Sequence, residues 1–444
     1  MPKRFALAFA HSGSVMFQWE PGQKPVKHEF TLSDGERILS PEEVVISGGL
    51  LFDLLQKGDV LFTEMGGRNG PFCLQALSRG VVIHQIPTYR LIEILGENND
   101  EEEDSGRDGI SLKREARARL IMELAGSDPG QFYPMLPIDP LVWRIQTYIN
   151  TYVSLQKDDR IKATLRRHGR QADFAWLPDS TDKKEIEATR DLLARPRDIE
   201  YYLELEGQMM KGIERLLPSI PIWNEFFGPI KGIGPSLAGR LIGVIRDIRR
   251  FPKRDGFRAY LACAVTPEGM APRYIRKKKD GSRGVTYNQQ GKSTLFKLVS
   301  DQVVRQGSRC CYNIWYLRAK CHYSVRQVRK LVEDGVANGD SPAVQAVISQ
   351  LDAGRSLESK INVVQGALAD LSHLLDAHPT LRRKMGLAHI EARARRKAIS
   401  RFVDELWVAW WRIIEREYKT QGIQLPDSVR QVLHPVDPHV VVRP

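Results

Sequence analysis

The spacing of apolar residues changes character near Pro140, and this change limits the fold more than any other feature of the chain. Before it, short apolar or alternating runs lie between glycines and prolines, the period-2 pattern of β-strands. Arg4 to Ala10, Val15 to Trp19 and Val26 to Leu32 read as three strands of a meander. Val60 to Met65 and Val81 to Ile86 read as buried strands, each followed by a helix, Pro71 to Arg79 and Tyr89 to Leu95. Alternation of strand and helix implies parallel pairing in the later part of the sheet. Asn98 to Asp104 is an acidic run expected to be a solvated loop, and Leu112 to Ala125 is a further helix.

After Pro140 the period becomes helical. Leu141 to Arg167 and Lys183 to Leu217 are long, charged and amphipathic, the second interrupted at Pro196, and suit an antiparallel coiled arm. A compact helical domain is expected over 218–330, a helical insertion over 331–388, and a basic, Trp-rich helix with an extended tail beyond Gly422 over 389–444. The arm occupies 140–217 and the α/β domain 1–130. An apolar share of 42% excludes a disordered chain, and the absence of an 18-residue apolar run excludes a membrane-spanning helix. Met1 to Ala10 has two basic residues and no apolar core with a cleavage site, so no signal peptide is expected. Five cysteines suit a reducing cytoplasm rather than a disulfide scaffold. The vicinal Cys310-Cys311 pair and Cys321-His322 match no zinc spacing, and no metal ligand is assigned to them.

Lys plus Arg is 66 against 54 Asp plus Glu, a net charge of +12, which points to a polyanionic partner. The surplus is clustered. Arg246, Arg249, Arg250, Lys253, Arg254 and Arg258 face only Asp247 and Asp255 in the sequence. Arg273, Arg276, Lys277, Lys278, Lys279 and Arg283 face only Asp280. Tyr274 and Tyr287 lie in or beside the second cluster, where an aromatic ring can stack on an unpaired base. Asn288, Lys292 and Lys297 follow and join the expected contact set. On the last long helix Arg393, Lys397 and Arg401 are four apart with Arg396 nearby, and His389 opens the stripe. Ile399, Phe402, Val403, Leu406, Trp410 and Ile413 form the opposite, core-facing stripe.

Lys231-Gly232-Ile233-Gly234-Pro235 opens a helix that continues through Ser236 and Arg240. Such a turn can present free backbone N–H groups to a phosphate, as in a helix–hairpin–helix clamp, or use glycine only for its dihedrals. Gly291-Lys292-Ser293-Thr294 imitates a P-loop, but the required earlier glycine is Thr286 and no strand precedes it. A two-Mg²⁺ nuclease on the sheet would need converging carboxylates. Glu64 on the fourth strand and Glu115 on the following helix are the candidates, but the first strand has no acid and the earliest aspartate is Asp34.

The stretches GIGPSLAGRLIGVIRDIRRF, FRAYLACAVTPEGMAPR and YNQQGKSTLFKLV resemble the C-terminal domain of bridge-RNA-guided DEDD transposases, the Piv/MooV relatives. The first is also similar to the Nop domain of box C/D RNA-protein particles. VLFTEMGGRNGPFCLQALSRGVVIHQIP and LKREARARLIMELA resemble the RuvC-like N-terminal domain of the same transposases. Where those enzymes carry a serine nucleophile, this chain reads Thr266-Pro267-Glu268-Gly269-Met270-Ala271-Pro272-Arg273. The MAPRYIRKKK and HIEARARRKAISRFVDELW stretches look more like the Tas proteins of TIGR-Tas systems. The resemblance implies an α/β RNase H-like (RuvC-like) domain plus a helical coiled arm and a Nop-like helical domain. It implies a guide RNA and a target DNA as partners, a homodimer, and a prokaryotic or phage nucleoid location. The RuvC-like domain is then mainly structural, or a residual nuclease using Glu64 and Glu115 with Mg²⁺. A DEDD transposase or recombinase is the alternative.

Overall fold

The computed structural model describes residues 2–10, 13–20, 22–31, 53–65, 70–95, 107–156, 197–264, 287–352, 357–371 and 387–434. The acidic run at 98–104, the middle of the expected arm (157–196) and the second basic cluster (273–283) lie outside the described residues. The chain divides into two compact units, Met1–Trp143 and Arg144–Pro444.

The first unit is built on a mixed six-stranded sheet of order β3-β2-β1-β4-β5-β6. β1 (Arg4–Ala10), β2 (Gly13–Trp19) and β3 (Val26–Thr31) form the antiparallel meander. β4 (Val60–Met65) pairs parallel with β1, and β5 (Val82–Pro87) parallel with β4. Helix α1 (Gly70–Ser78) supplies the crossover between the parallel strands β4 and β5, and α1, α2 (Thr88–Leu95) and α3 (Arg107–Ser127) cover the sheet. A two-residue strand, β6 (Tyr133–Pro134), pairs antiparallel with β5 in the Pro-rich stretch that the sequence presents only as punctuation.

Both faces of this sheet are covered, which explains why its strands read as near-continuous apolar runs. Phe5, Leu7, Leu61 and Ile83 point to one face with Phe72, Cys73 and Ala76 of α1. Ala6, Ala8, Phe62 and Ile86 point to the other with Ala118, Ile121 and Ala125 of α3. The small alanines of β1 let α3 approach the sheet closely.

Helix α4 (Asp139–Ser154) contains the boundary between the units. The second unit is helical. α5 spans Arg197–Leu216, and the expected interruption at Pro196 lies outside the described residues. α6 (Pro235–Ile245), α7 (Arg254–Tyr260) and α8 (Gln289–Leu295) follow, and α8 runs into a π-helical segment, Phe296–Val303. α9 (Cys311–Glu333), α10 (Pro342–Asp352), α11 (Leu357–Asp370), α12 (Leu387–Gln421) and α13 (Asp427–Leu433) complete it.

The expected apolar stripe of α12 is buried throughout, from Ile399 to Ile413. Trp407 and Trp411 both donate from Nε1 to the carbonyl of Phe251, at 2.8 and 3.2 Å. α9 is the main partner of α12. Tyr312 donates to Glu405 (2.5 Å) and Tyr316 to Glu391 (2.7 Å) across that pair.

In the described part of 331–388, Val344, Val347, Ile361, Val364 and Leu368 share one core with Val325, Val328 and Leu331 of α9 and Ile390 of α12. Their i, i+3, i+4 spacing makes stripes that are buried only against α9. The chain beyond Gly422 is not extended over its described part: α13 buries Val429, and Ser428 donates to the carbonyl of Pro252 at 3.0 Å. No described helix is long and apolar enough to cross a membrane.

Candidate nucleic-acid interface

Five of the six cations in the first basic cluster are engaged within the protein. Arg249 is 1% exposed, and its guanidinium is held by Asp247 at 2.6 Å, with Nε donating to both carboxylate oxygens. Arg258 forms a bidentate pair with Asp404 of α12, at 2.7 and 2.5 Å, and that carboxylate raises its pKa despite burial. Arg246 is set in a left-handed backbone conformation (φ 62°), and once the Gln146 amide is turned to expose its oxygen it accepts from that guanidinium at 2.7 Å. Arg250 donates to the carbonyl of Ile245 and lies 5.2 Å from the rings of Phe251 and Tyr260. Arg254 lies over the Trp407 ring at 5.7 Å. Lys253 remains exposed. Unsatisfied buried charge is costly, so the fold supplies partners for these groups: Arg249 is closed onto Asp247 and withdrawn from the expected contact set, whereas Arg250 stays half-buried.

The Lys231–Pro235 turn is explained by packing. Gly232 has φ +94°, and a Cβ there would lie 3.0 Å from the carbonyl of Gln302. Ile233 is buried, Gly234 is the extended N-cap of α6, Lys231 is exposed and Ser236 half-buried. A Cβ at Gly239 would meet Ile213 at 2.9 Å, so α6 sits close against α5. Arg240 stacks on Tyr152 (5.0 Å) and donates to Gln156 (2.6 Å), which in turn donates to Glu206 (3.1 Å). It fastens α6 to its neighbours.

Exposed cations of the expected contact set also lie on α8 and the first turns of α12. Asn288 caps α8 by accepting from Gly291 N–H at 2.6 Å, while its Nδ2 donates to Tyr260 Oη at 3.0 Å. The inner face of α8 is Gly291, Thr294 and Leu295, and a Cβ on Gly291 would lie 2.9 Å from Leu261. The GKST string thus sits in the body of a helix, not in a phosphate-binding loop. The outer face exposes Gln289, Ser293 and Lys297, with Lys292 and Phe296 half-buried. Lys292 Nζ donates to Tyr287 Oη at 3.0 Å and lies 4.6 Å from the ring centroid. Tyr287, Gln289, Lys292, Ser293 and Phe296 line an open cleft of about 270 Å³.

Cys263 marks where these elements meet. Burial pushes its thiol up to about 12, while Arg258, Arg396 and Lys292 act in the opposite direction. The fields of Arg396 on α12 and Lys292 on α8 therefore overlap at one buried atom. Burial lowers the Arg396 guanidinium, and Arg393 beside it lowers it further. His389 is lowered by burial and then by Arg393 and Arg396, so it is neutral at neutral pH. Arg393 lies over Tyr323 at 4.5 Å and stays exposed, as does Lys397. The segment 265–286, which carries Arg273, Arg276, Lys277, Lys278, Lys279 and Arg283, departs from Ala264 and returns at Tyr287. Its two flanks are tied by the amide of Asn288 donating to the carbonyl of Tyr260 at 2.9 Å. Gln289 and Phe296 were absent from the expected set; their signal is the spacing 289, 292/293, 296, one face of a helix.

In the first unit Glu64 is buried on β4, on the face covered by α3. The sheet-facing position on α3 is Arg114, which is 2% exposed and pairs with Glu29 at 3.7 Å. Glu115 accepts from Lys27 (2.6 Å) and Arg119 (3.0 Å), and these cations hold its carboxyl below the usual range. On β1 the same face carries Ala6 and Ala8. Among the described residues no three His, Cys, Asp or Glu are grouped to hold a metal ion. Among the described residues of this unit, Glu64 and Glu115 do not form a two-Mg²⁺ donor set, and no metal-dependent step is assigned to them.

No protein-family model matches the chain, and no curated protein matches it.

Proposed function

We propose that the protein is an RNA-guided DNA-binding protein of the Tas type, with its helical unit holding a guide RNA and base pairing selecting the DNA. The observation that carries this reading is the approach of Lys292 on α8 and Arg396 on α12 to Cys263, with Arg393 beside Arg396, next in sequence to the basic 265–286 segment. Cations so placed neutralise phosphates without reading sequence, which suits a protein that leaves sequence to a guide. The N-terminal sheet order 3-2-1-4-5, with a 1-2-3 meander and strands 4 and 5 parallel to strand 1, supports an RNase H-like (RuvC-like) reading of that unit. Its charge pattern, an acid-free β1 and a buried Arg114, supports a structural role for it. Two copies associating into a dimer completes the proposal.

Sequencing the RNA that copurifies with the full chain tests this directly. A discrete small RNA, retained at moderate salt, is the expected result; only degraded bulk RNA would sink the guide role.

A second reading, a guide-directed DEDD transposase or recombinase, is favoured by the burial of Glu64 on β4 between two parallel neighbours. DNA cleavage that requires Mg²⁺ and vanishes in Glu64→Gln would select it.

A further inference from the structure

We propose that the cleft formed by Tyr287, Gln289, Lys292, Ser293 and Phe296 holds a single unpaired nucleotide, its base against the aromatic walls and its phosphate at Lys292 and Ser293. This rests on the nucleic-acid reading above and names the form of the ligand: single strand, not duplex.

The chemistry of the walls carries it. Tyr287 and Phe296 are both half-buried and line the cleft. Lys292 lies 4.6 Å from the Tyr287 centroid with its ammonium 3.0 Å from Oη, so a cation and an aromatic ring are held together at the cleft wall. Ser293 adds an exposed hydroxyl, and Lys297 lies one turn further along the same helix face. Gln289 brings an amide able both to donate to and to accept from a base edge. A volume of about 270 Å³ is below the roughly 300–1,000 Å³ typical of drug-sized ligand sites.

Bases in a duplex bury their faces against each other and cannot reach such walls, whereas an unpaired base can. The fixed shape comes from the opposite side of α8, where Gly291 lets the helix lie against Leu261 and Val244. Asn288 holds the first turn in place through its bond to Gly291 N–H.

The test uses the full chain with single-stranded RNA, single-stranded DNA and a duplex of equal length, the single strands carrying one 2-aminopurine. On the unmodified protein, binding of a single strand should quench 2-aminopurine fluorescence by stacking. Unquenched fluorescence in saturated single-strand complexes would overturn the proposal. Tyr287→Ala and Phe296→Leu should each weaken single-strand binding about 5- to 150-fold and leave duplex binding and the salt dependence unchanged. Tyr287→Phe, which keeps the ring, should retain affinity. Equal weakening for single strand and duplex would overturn the cleft as a base site. If Arg393→Gln with Lys397→Gln weakens binding of every strand while the aromatic variants do not, the cleft inference fails and the nucleic-acid reading stands. If no variant affects binding of any strand, both fail. RNA against DNA affinity then identifies which single strand the site prefers.

Discussion

Arg249 and Lys292 carry the same formal charge, but burial gives them different work. Arg249 is 1% exposed and closed onto Asp247, itself 11% exposed. Removing one partner leaves the other charge uncompensated, so Arg249→Met should lower stability by about 3–5 kcal/mol. Chemical denaturation would register it as a lower midpoint at unchanged slope. The salt dependence of nucleic-acid binding should stay as in the unmodified protein. Lys292 sits at the rim of an open cleft, its ammonium bonded to the Tyr287 hydroxyl, so its loss should touch binding far more than folding. At this scale the sequence misleads in one direction. A run of arginines signals a positive surface only when no carboxylate elsewhere in the chain closes on it, and Asp404 lies 146 residues from the Arg258 it pairs with.

Helices α9 and α12 are joined by two carboxylates that face tyrosines, Glu391 with Tyr316 and Glu405 with Tyr312. Burial alone would push the Glu391 carboxyl up, but hydrogen bonds from Tyr316, Arg395 and Lys320 outweigh it and hold the carboxyl below its ordinary value. A carboxyl depressed in the folded state binds fewer protons there than in the unfolded chain. Its stabilisation is therefore complete above the unfolded value and is lost as pH falls through the folded one. The α9–α12 pair should loosen in acid below the usual carboxylate range. Glu391→Gln should reduce that dependence and lower stability at neutral pH by about 1.5–3 kcal/mol. A thermal unfolding series from neutral to acid pH checks both, and parallel curves for the two proteins would refute the assignment. The helices themselves are legible in the sequence, because a 3.6-residue period needs only near neighbours. The stripe from Ile399 to Ile413 is the clearest case. The core shared by α9, α10 and α11 is not legible in that way. Each stripe is visible, but nothing local says which stripe meets which.

For the whole molecule, the net charge of +12 overstates the surface available to a polyanion. Much of the first basic cluster balances internal carboxylates, carbonyls and rings. The second cluster, with the α8 and α12 cations, is left as the expected source of the salt-dependent attraction. Charge reversal at Arg276, Lys277 and Lys278 should weaken RNA or DNA binding and flatten its salt dependence, by about 0.7–0.9 in the logarithmic slope for each phosphate no longer neutralised. Affinity measured across a salt series gives that slope, and an unchanged value would take this segment out of the interface. The N-terminal unit predicts no such slope of its own, since Glu115 and Glu29 are matched to Lys27, Arg119 and Arg114.

The sequence by itself determined the division into a sheet-bearing half and a helical half, the places of the first five strands to within about two residues, and the buried face of α12. Those features follow from period and punctuation, which act over a few residues. Only the tertiary structure decided which cations are spent and which are offered, that Arg114 rather than an acid faces the sheet from α3, and that Tyr287, Lys292 and Phe296 enclose a cleft. Charge compensation and concavity are relations between segments far apart in the chain. Burial, which sets the cost of leaving a charge unpaired, exists only once those segments are packed.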